Sequence, residues 1–337
     1  MLAALTKKSP NDIELRVTSP PVLCEDEILI KVAYCGICGS DLHAYNHAKG
    51  YEFVDHPRIL GHQISGTVIE VNDERYQKLI GKQVIVESMN YCGKCENCCN
   101  ERYSICLNNK VIGLHFDGGM AQYVKTKAKY VRVIEDVPME IAVLSEPMSV
   151  AVHAIKRLDR DITKNDVILV QGPGIIGFFV ALLCVERGAK VYISGLRKDF
   201  ESRLKKFEPF NMIPHVVEDG LIDEKVDVIF ECSGSKQAVI TMFDQLKKGG
   251  SAVVVALYEQ ESELFLTNLV RNDWMLIPSY GSDPVDYDEA IQVLKKHAAK
   301  IKDIINYYPF NQVKRAFEDG LHQEVLKPVL EIDTKST

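Results

Sequence analysis

No stretch of this 337-residue chain approaches the ~18 consecutive apolar residues that a membrane-spanning helix needs. Excess positive charge is missing too. Asp and Glu number 47 against 40 Lys and Arg, a formal net charge of −7, which argues against a nucleic acid or an anionic membrane surface as partner. The N-terminus has a short apolar start and then lysines, without the apolar core of a secretory signal. A cytoplasmic location is therefore expected. Internal repeats and low-complexity linkers are absent, so the chain divides by texture alone, and its length suggests two domains.

Cysteine, by contrast, is plentiful: the chain has 10. In a reducing compartment these are not expected to pair as disulfides, and a cluster points to metal. Cys92, Cys95, Cys98 and Cys106 form C-x₂-C-x₂-C-x₇-C, close enough for four thiolates to surround a tetrahedral ion. A closed Cys₄ set leaves no open position, so the expected ion is structural zinc. An unliganded cluster would be an oxidation liability. An iron–sulfur centre fits less well, because the last gap is seven residues and Leu107, not proline, follows. Cys99 must point elsewhere as a free thiol. Cys24, Cys184 and Cys232 read as small buried apolar residues.

Residues 1–150 are β-rich, with short runs such as Glu27–Val32, Gly66–Val71 and Gln83–Val86 broken by glycine turns, as in a barrel or sandwich. The texture changes from about Val150. Strands at Asp166–Gln171, Lys190–Ser194, Val226–Glu231 and Ser251–Val255 alternate with helical stretches at Ile176–Arg187 and Lys236–Leu246, the signature of βαβ units and a buried parallel sheet. After Gly281 come helical segments at Tyr287–Lys296 and Gln312–Glu318 and a closing strand at Pro328–Ile332. Trp274 reads as core, His153 as packing and Lys295–Lys296 as a solvated helix face.

Gly172-Pro173-Gly174-Ile175-Ile176-Gly177 matches G-x-G-x-x-G between a strand and a helix, the context required of a dinucleotide-binding loop. At the end of the second strand Gly195 stands where an acid would meet the ribose 2′-hydroxyl of NAD, and Arg197 and Lys198 follow. That leans toward NADP, while Asp199 keeps NAD open. A second constellation is dispersed: Cys38, His62 and Glu146 are a thiol, an imidazole and a carboxylate, the types a catalytic zinc needs. By spacing alone they read equally as ordinary buried residues.

Taken in order, Cys35-Gly36-Ile37-Cys38-Gly39-Ser40-Asp41-Leu42-His43, Gly61-His62, the four-cysteine lobe (about 90–107), Asp117-Gly118-Gly119-Met120-Ala121-Gln122-Tyr123, Glu146-Pro147-Met148-Ser149-Val150-Ala151-Val152-His153-Ala154, the glycine loop and Lys327-Pro328-Val329-Leu330 resemble the zinc-containing medium-chain alcohol dehydrogenase/reductase superfamily. The nearest likeness is to its polyol branch (sorbitol, butanediol, threonine and galactitol-phosphate dehydrogenases). The resemblance implies an α/β protein with a GroES-like β-rich catalytic domain (1–150), a Rossmann doubly wound parallel-sheet cofactor domain (151–280) and a C-terminal return to the catalytic domain (281–337). It places the active site in the cleft between the domains.

It also implies two zinc ions per chain, one structural and one catalytic at Cys38, His62 and Glu146, a nicotinamide cofactor held by the glycine loop with Gly195, Arg197 and Ser233 nearby, and a homodimer or homotetramer. Ser40 and His43 become a relay that carries the proton of a zinc-polarised substrate oxygen outward. The implied reaction is hydride transfer between the cofactor and the carbinol carbon of a small polyol or secondary alcohol, or the matching ketone. Two features depart from the branch. Gln63 stands where Gly-His-Glu is usual, which leaves its place in the zinc shell open. Ser279–Ser282 lacks the arginine expected beside sorbitol. The rival readings are a zinc-independent NADPH quinone or enone reductase, and a non-catalytic nucleotide-binding redox sensor. Neither needs the Cys/His/Glu set.

Overall fold

A computed structural model of the protein describes residues 1–333. In chain order the first segment carries β1 (Leu2–Thr6), β2 (Ile13–Val17), β3 (Glu27–Gly36), α1 (Gly39–Tyr45), β4 (Gln63–Val71), β5 (Gln83–Val86), β6 (Met89–Asn90), α2 (Glu96–Cys99), β7 (Lys110–Val111), β8 (Tyr123–Lys127), β9 (Val131–Val133) and α3 (Met139–Ala142). Then come α4 (Ser145–Lys156), β10 (Val167–Gln171), α5 (Ile175–Glu186), β11 (Lys190–Gly195), β12 (Ile213–Val216), β13 (Val226–Glu231), α6 (Lys236–Met242), β14 (Leu246–Val254), α7 (Leu266–Asn272) and β15 (Met275–Pro278). The chain closes with α8 (Pro284–Ile301), β16 (Ile305–Pro309), α9 (Val313–Leu321) and β17 (Lys327–Glu331). No helix among the described residues is long and apolar enough to cross a membrane.

The chain forms two compact units: Met1–Glu146 with the segment from Ser282 onward, and Pro147–Gly281. The first is β-rich. Its main sheet runs β16-β17-β3-β4-β5-β9, with β8 also on β3. Apolar residues alternate inward, so Ile28, Ile30 and Val32 of β3 and Ile64 and Val68 of β4 share one buried cluster with Phe317 and Leu330 of the chain's last quarter. The ten-residue β3 has β4 along one side. The other side is divided between β8, which pairs with Glu27–Lys31, and β17, which pairs with Tyr34–Gly36. The C-terminal end of β3 thus lies between β4 and β17, and the candidate site grows from there.

The second unit is a parallel six-stranded sheet in the order β12-β11-β10-β13-β14-β15. Its central strands Ile168–Val170 and Val228–Phe230 are fully or nearly fully buried, as a sheet covered on both faces requires. With helices in the crossovers this is the doubly wound architecture. α5 is apolar on every side and buried from Gly177 to Cys184.

Several expectations need correction. Cys24 is exposed, not buried, because it sits in the turn before β3, where its N–H is held by Glu27. Cys232 is only partly buried, while Cys184 is buried and Cys99 exposed. Trp274 lies at the margin of its apolar cluster, stacked on Phe243 at 4.9 Å with its indole N–H on the Lys247 carbonyl at 2.8 Å. It adjoins an edge strand, which leaves Met275 and Leu276 exposed. α6 stops at Met242, and β14 begins five residues before Ser251, through a polar stretch, Lys247-Lys248-Gly249, that hides the strand from a periodicity reading.

Candidate active site

Cys38 caps the N-terminus of α1, and Asp41 in the first turn accepts the Cys38 backbone N–H at 2.9 Å. The other oxygen of Asp41, which is fully buried, accepts the Gly61 N–H at 3.1 Å and lies 3.5 Å from His62 Nδ1. One carboxylate therefore fixes the start of α1 to the loop before β4 and turns the imidazole so that Nε2 faces Ser40 Oγ at 3.5 Å. Burial alone would raise the Cys38 thiol, but a hydrogen bond and charge from His62 outweigh it and hold the thiol below its ordinary value. For His62 burial opposes the charged form, yet Asp41 and Cys38 raise its pKa well above normal. A thiol and an imidazole are donor types suited to a soft divalent metal site.

Gly36 explains the next layer. It pairs with Gln63 across β3 and β4, and a Cβ there would lie 2.5 Å from Gln63 Oε1 and 3.1 Å from Lys327 Nζ. The missing side chain lets these two groups meet. Lys327, only 1% exposed, donates to the Ile37 carbonyl at 2.7 Å and to Gln63 Oε1. Gln63 Nε2 in turn donates to Glu146 Oε2 at 2.9 Å, while Ser88 Oγ donates to Glu146 Oε1 at 3.1 Å. An ammonium can only donate and a carboxylate only accept, so the amide orientation of Gln63 is dictated by its neighbours. Burial pushes the Lys327 pKa down, against the pull of Cys38, Glu146 and Asp41. His43 of α1 stacks on Tyr51 at 5.3 Å.

The four lobe cysteines bring their thiols within 4.8 Å of one another. Cys38, His62 and Glu146 are not gathered that tightly, because Glu146 is held by Gln63 and Ser88. The lobe thiols already receive N–H donors: Cys92 and Asn108 backbone N–H groups point to Cys106 Sγ at 3.2 and 3.4 Å. Backbone N–H groups of Lys94 and Cys95 lower the Cys92 thiol to about 6, and burial pushes Cys98 up to about 12. A set of close thiols with donors aimed at sulfur suits a tetrahedral thiolate-bound ion.

In the second unit, Gly172 has φ +103°, and a Cβ on it would lie 2.8 Å from the Ser233 backbone. Gly174 caps α5 and has open space where its Cβ would be. A Cβ on Gly177 would lie 2.0 Å from the Gly172 carbonyl oxygen. These are the turn, the approach and the packing roles that a pyrophosphate-binding loop needs. Gly195 packs on Pro173, where a Cβ would come within 2.6 Å.

Arg197 donates its N–H to Glu218 at 3.0 Å, and its guanidinium pairs with Asp219. Asp199 accepts the Leu196 N–H at 3.2 Å and is thereby spent on its own turn. Ser233 belongs to a latch: Glu231, fully buried, accepts the Ser233 N–H at 2.8 Å and hydroxyls from Ser233 and Tyr258. The sequence assigns no supporting role to Asp41 and Lys327, although both stand in the quoted runs, nor to Ser88, Glu218 and Glu231. No motif spacing marks a residue whose role is to hold another.

Residues 24–136 match the alcohol dehydrogenase GroES-like domain, and residues 139–332 match the glucose dehydrogenase C-terminus. The chain belongs to the zinc-containing medium-chain alcohol dehydrogenase superfamily. Within this superfamily it is 31% identical to D-arabitol-phosphate dehydrogenase of Enterococcus avium, over 93% of this chain and 92% of that protein. It is 28% identical to sorbitol dehydrogenase of Bacillus subtilis, over 95% and 94%. Galactitol-1-phosphate dehydrogenase from Escherichia coli shares the medium-chain fold with a TM-score of 0.87 at 23% identity, covering 98% of this chain and 100% of that one.

Proposed function

We propose that the protein is a zinc- and nicotinamide-dependent dehydrogenase that interconverts the secondary alcohol and ketone of a small polyol, free or phosphorylated. The observation that carries this reading is the Cys38–His62 pair beside Ser40, fixed by Asp41. The names of the relatives point to the polyol class. Cys38, His62 and Glu146 would hold the catalytic ion, and Cys92, Cys95, Cys98 and Cys106 a structural one. Zinc, when bound, supplies Lewis acidity toward a substrate oxygen, and the nicotinamide exchanges hydride.

The chain's own residues do the rest. Asp41 keeps Nε2 of His62 directed toward Ser40. Ser40 Oγ would accept the alcohol proton as it releases its own hydroxyl proton toward His43, three residues on along the same helix, whose imidazole would take that proton and pass it outward. Gln63 commits its carbonyl to Lys327 and its amide to Glu146, so it acts as a neutral bridge outside the ion's shell. With Cys38 and Glu146 as the only anions, the ligand set offsets the ion's charge without exceeding it. Gly174 admits the pyrophosphate to the N-terminus of α5. Arg197, once released from Asp219, suits the 2′-phosphate of NADP. The open edge at β15 supplies a surface for association with a second copy.

The test is zinc per chain in the wild type and in Cys38→Ala, His62→Ala and Cys95→Ala, with coenzyme reduction assayed on polyols and polyol phosphates. Two ions, one of them lost together with activity in the first two variants, is the expected result. A single ion lost only in Cys95→Ala would remove the catalytic metal from the reading.

A further inference from the structure

A cavity of about 790 Å³ opens in the first unit, lined by β8, the start of the cysteine lobe and the N-terminal β1–β2 ribbon; Cys38, His62 and Glu146 take no part in it. The chain carries a formal net charge of −7, yet this cavity collects Arg58, Lys110, Lys125, Lys127 and Lys129 against Glu27 and Asp117. Both acids are already engaged. Glu27 accepts from Lys125 at 2.8 Å and from the Cys24 N–H at 2.7 Å. Asp117 accepts from Arg58 at 3.3 Å and from the Ile59 N–H at 3.2 Å. Lys110, Lys127 and Lys129 are left without an ion pair among the described residues. Lys129 lies 5.1 Å over the ring of Tyr91 and 4.7 Å over that of Tyr130. Like charges gathered about a concave surface repel one another and focus a positive field into it.

The lysine ammonium groups match the many acceptor oxygens of a phosphate. The rings of Phe116 and Tyr91 offer apolar surface beside them.

We propose that this cavity is a binding site for a small phosphorylated molecule, its phosphate taken by Lys110, Lys127 and Lys129 and its organic part laid on the aromatic rings. Its volume falls within the roughly 300–1,000 Å³ of small-molecule sites. The proposal does not rest on the dehydrogenase reading, since it uses none of the reaction-centre residues.

Calorimetric titration of the full chain, with coenzyme saturating so that the glycine loop is occupied, tests it with inorganic phosphate, ribose 5-phosphate and AMP as probes. One saturable event per chain is expected for an organic phosphate, weakened about tenfold or more in the double variant K110E/K127E, with zinc content and coenzyme affinity unchanged. Equal affinity for inorganic phosphate would support the anion site and assign it to free phosphate. No saturation by about 10 mM, a concentration at which binding has no useful strength, overturns the proposal. So does affinity unaltered by K110E/K127E. A change of oligomeric mass in that variant also overturns it, because the cavity would then be a contact between copies of the chain.

Discussion

At the scale of single residues, the site depends on groups that touch no substrate. Lys327 is buried and holds two acceptors, the Ile37 carbonyl and Gln63 Oε1. Lys327→Met keeps much of the volume but leaves both acceptors unpaired, and is expected to cost about 1–3 kcal/mol in denaturant unfolding. Asp41→Asn keeps the shape and removes the charge facing His62 and one acceptor from the Gly61–Cys38 bridge. Loss of such a supporting carboxylate is expected to lower zinc affinity about 10–100-fold, read by competition with a chromophoric chelator. Zinc affinity equal to wild type would mean that His62 needs no orienting partner. The sequence displayed Cys38, His62 and Glu146 as types and the lobe cysteines as a spacing. It could not display Lys327 or Asp41 in their supporting roles. A lysine's burial follows from β17 arriving beside β3, which is a property of strand pairing some 290 residues apart.

At the scale of elements, the glycine loop separates two roles that one motif runs together. Gly177→Ala drives a Cβ into the Gly172 carbonyl at 2.0 Å, and is expected to lower stability by about 1–3 kcal/mol through backbone displacement. Gly174→Ala meets nothing within 4 Å and keeps φ at −83°. Its unfolding midpoint is expected to stay near wild type, while coenzyme Kd rises about tenfold or more because the new Cβ stands where pyrophosphate approaches. Thermal melts with and without coenzyme, plus a fluorescence titration, distinguish the two. A Gly174→Ala enzyme with unchanged coenzyme affinity would mean that the pyrophosphate lies elsewhere.

The strands and helix around this loop were legible because a fully buried parallel strand reads as a short apolar run ending at glycine. The first half of β14 was not legible. Lys247 and Lys248 are exposed there, and the register with β13 shifts between Val226 and Val228, so no alternation survives to be read. Trp274 misled for a related reason. A large aromatic beside three apolar residues looks central, but pairing places that strand last in its sheet.

At the scale of the whole molecule, a sheet that ends on an apolar strand is a liability unless something pairs with it. Among the described residues β15 has a partner, β14, on one side only. Met275 and Leu276 of the strand are exposed at 36% and 39%, and Phe265, Leu266 and Val270 of the adjoining segment are more exposed still. An isologous contact, β15 against the β15 of a second copy, would satisfy the free backbone edge and cover these side chains with one self-complementary surface. Light scattering is expected to give twice the chain mass. The variant carrying Val270→Lys and Leu276→Lys is expected to run at the single-chain mass with its circular dichroism unchanged, since both positions face solvent in the isolated chain. A variant that stays double would move the contact to another face. A wild type already at single-chain mass would leave the apolar edge to be explained by something other than a second copy.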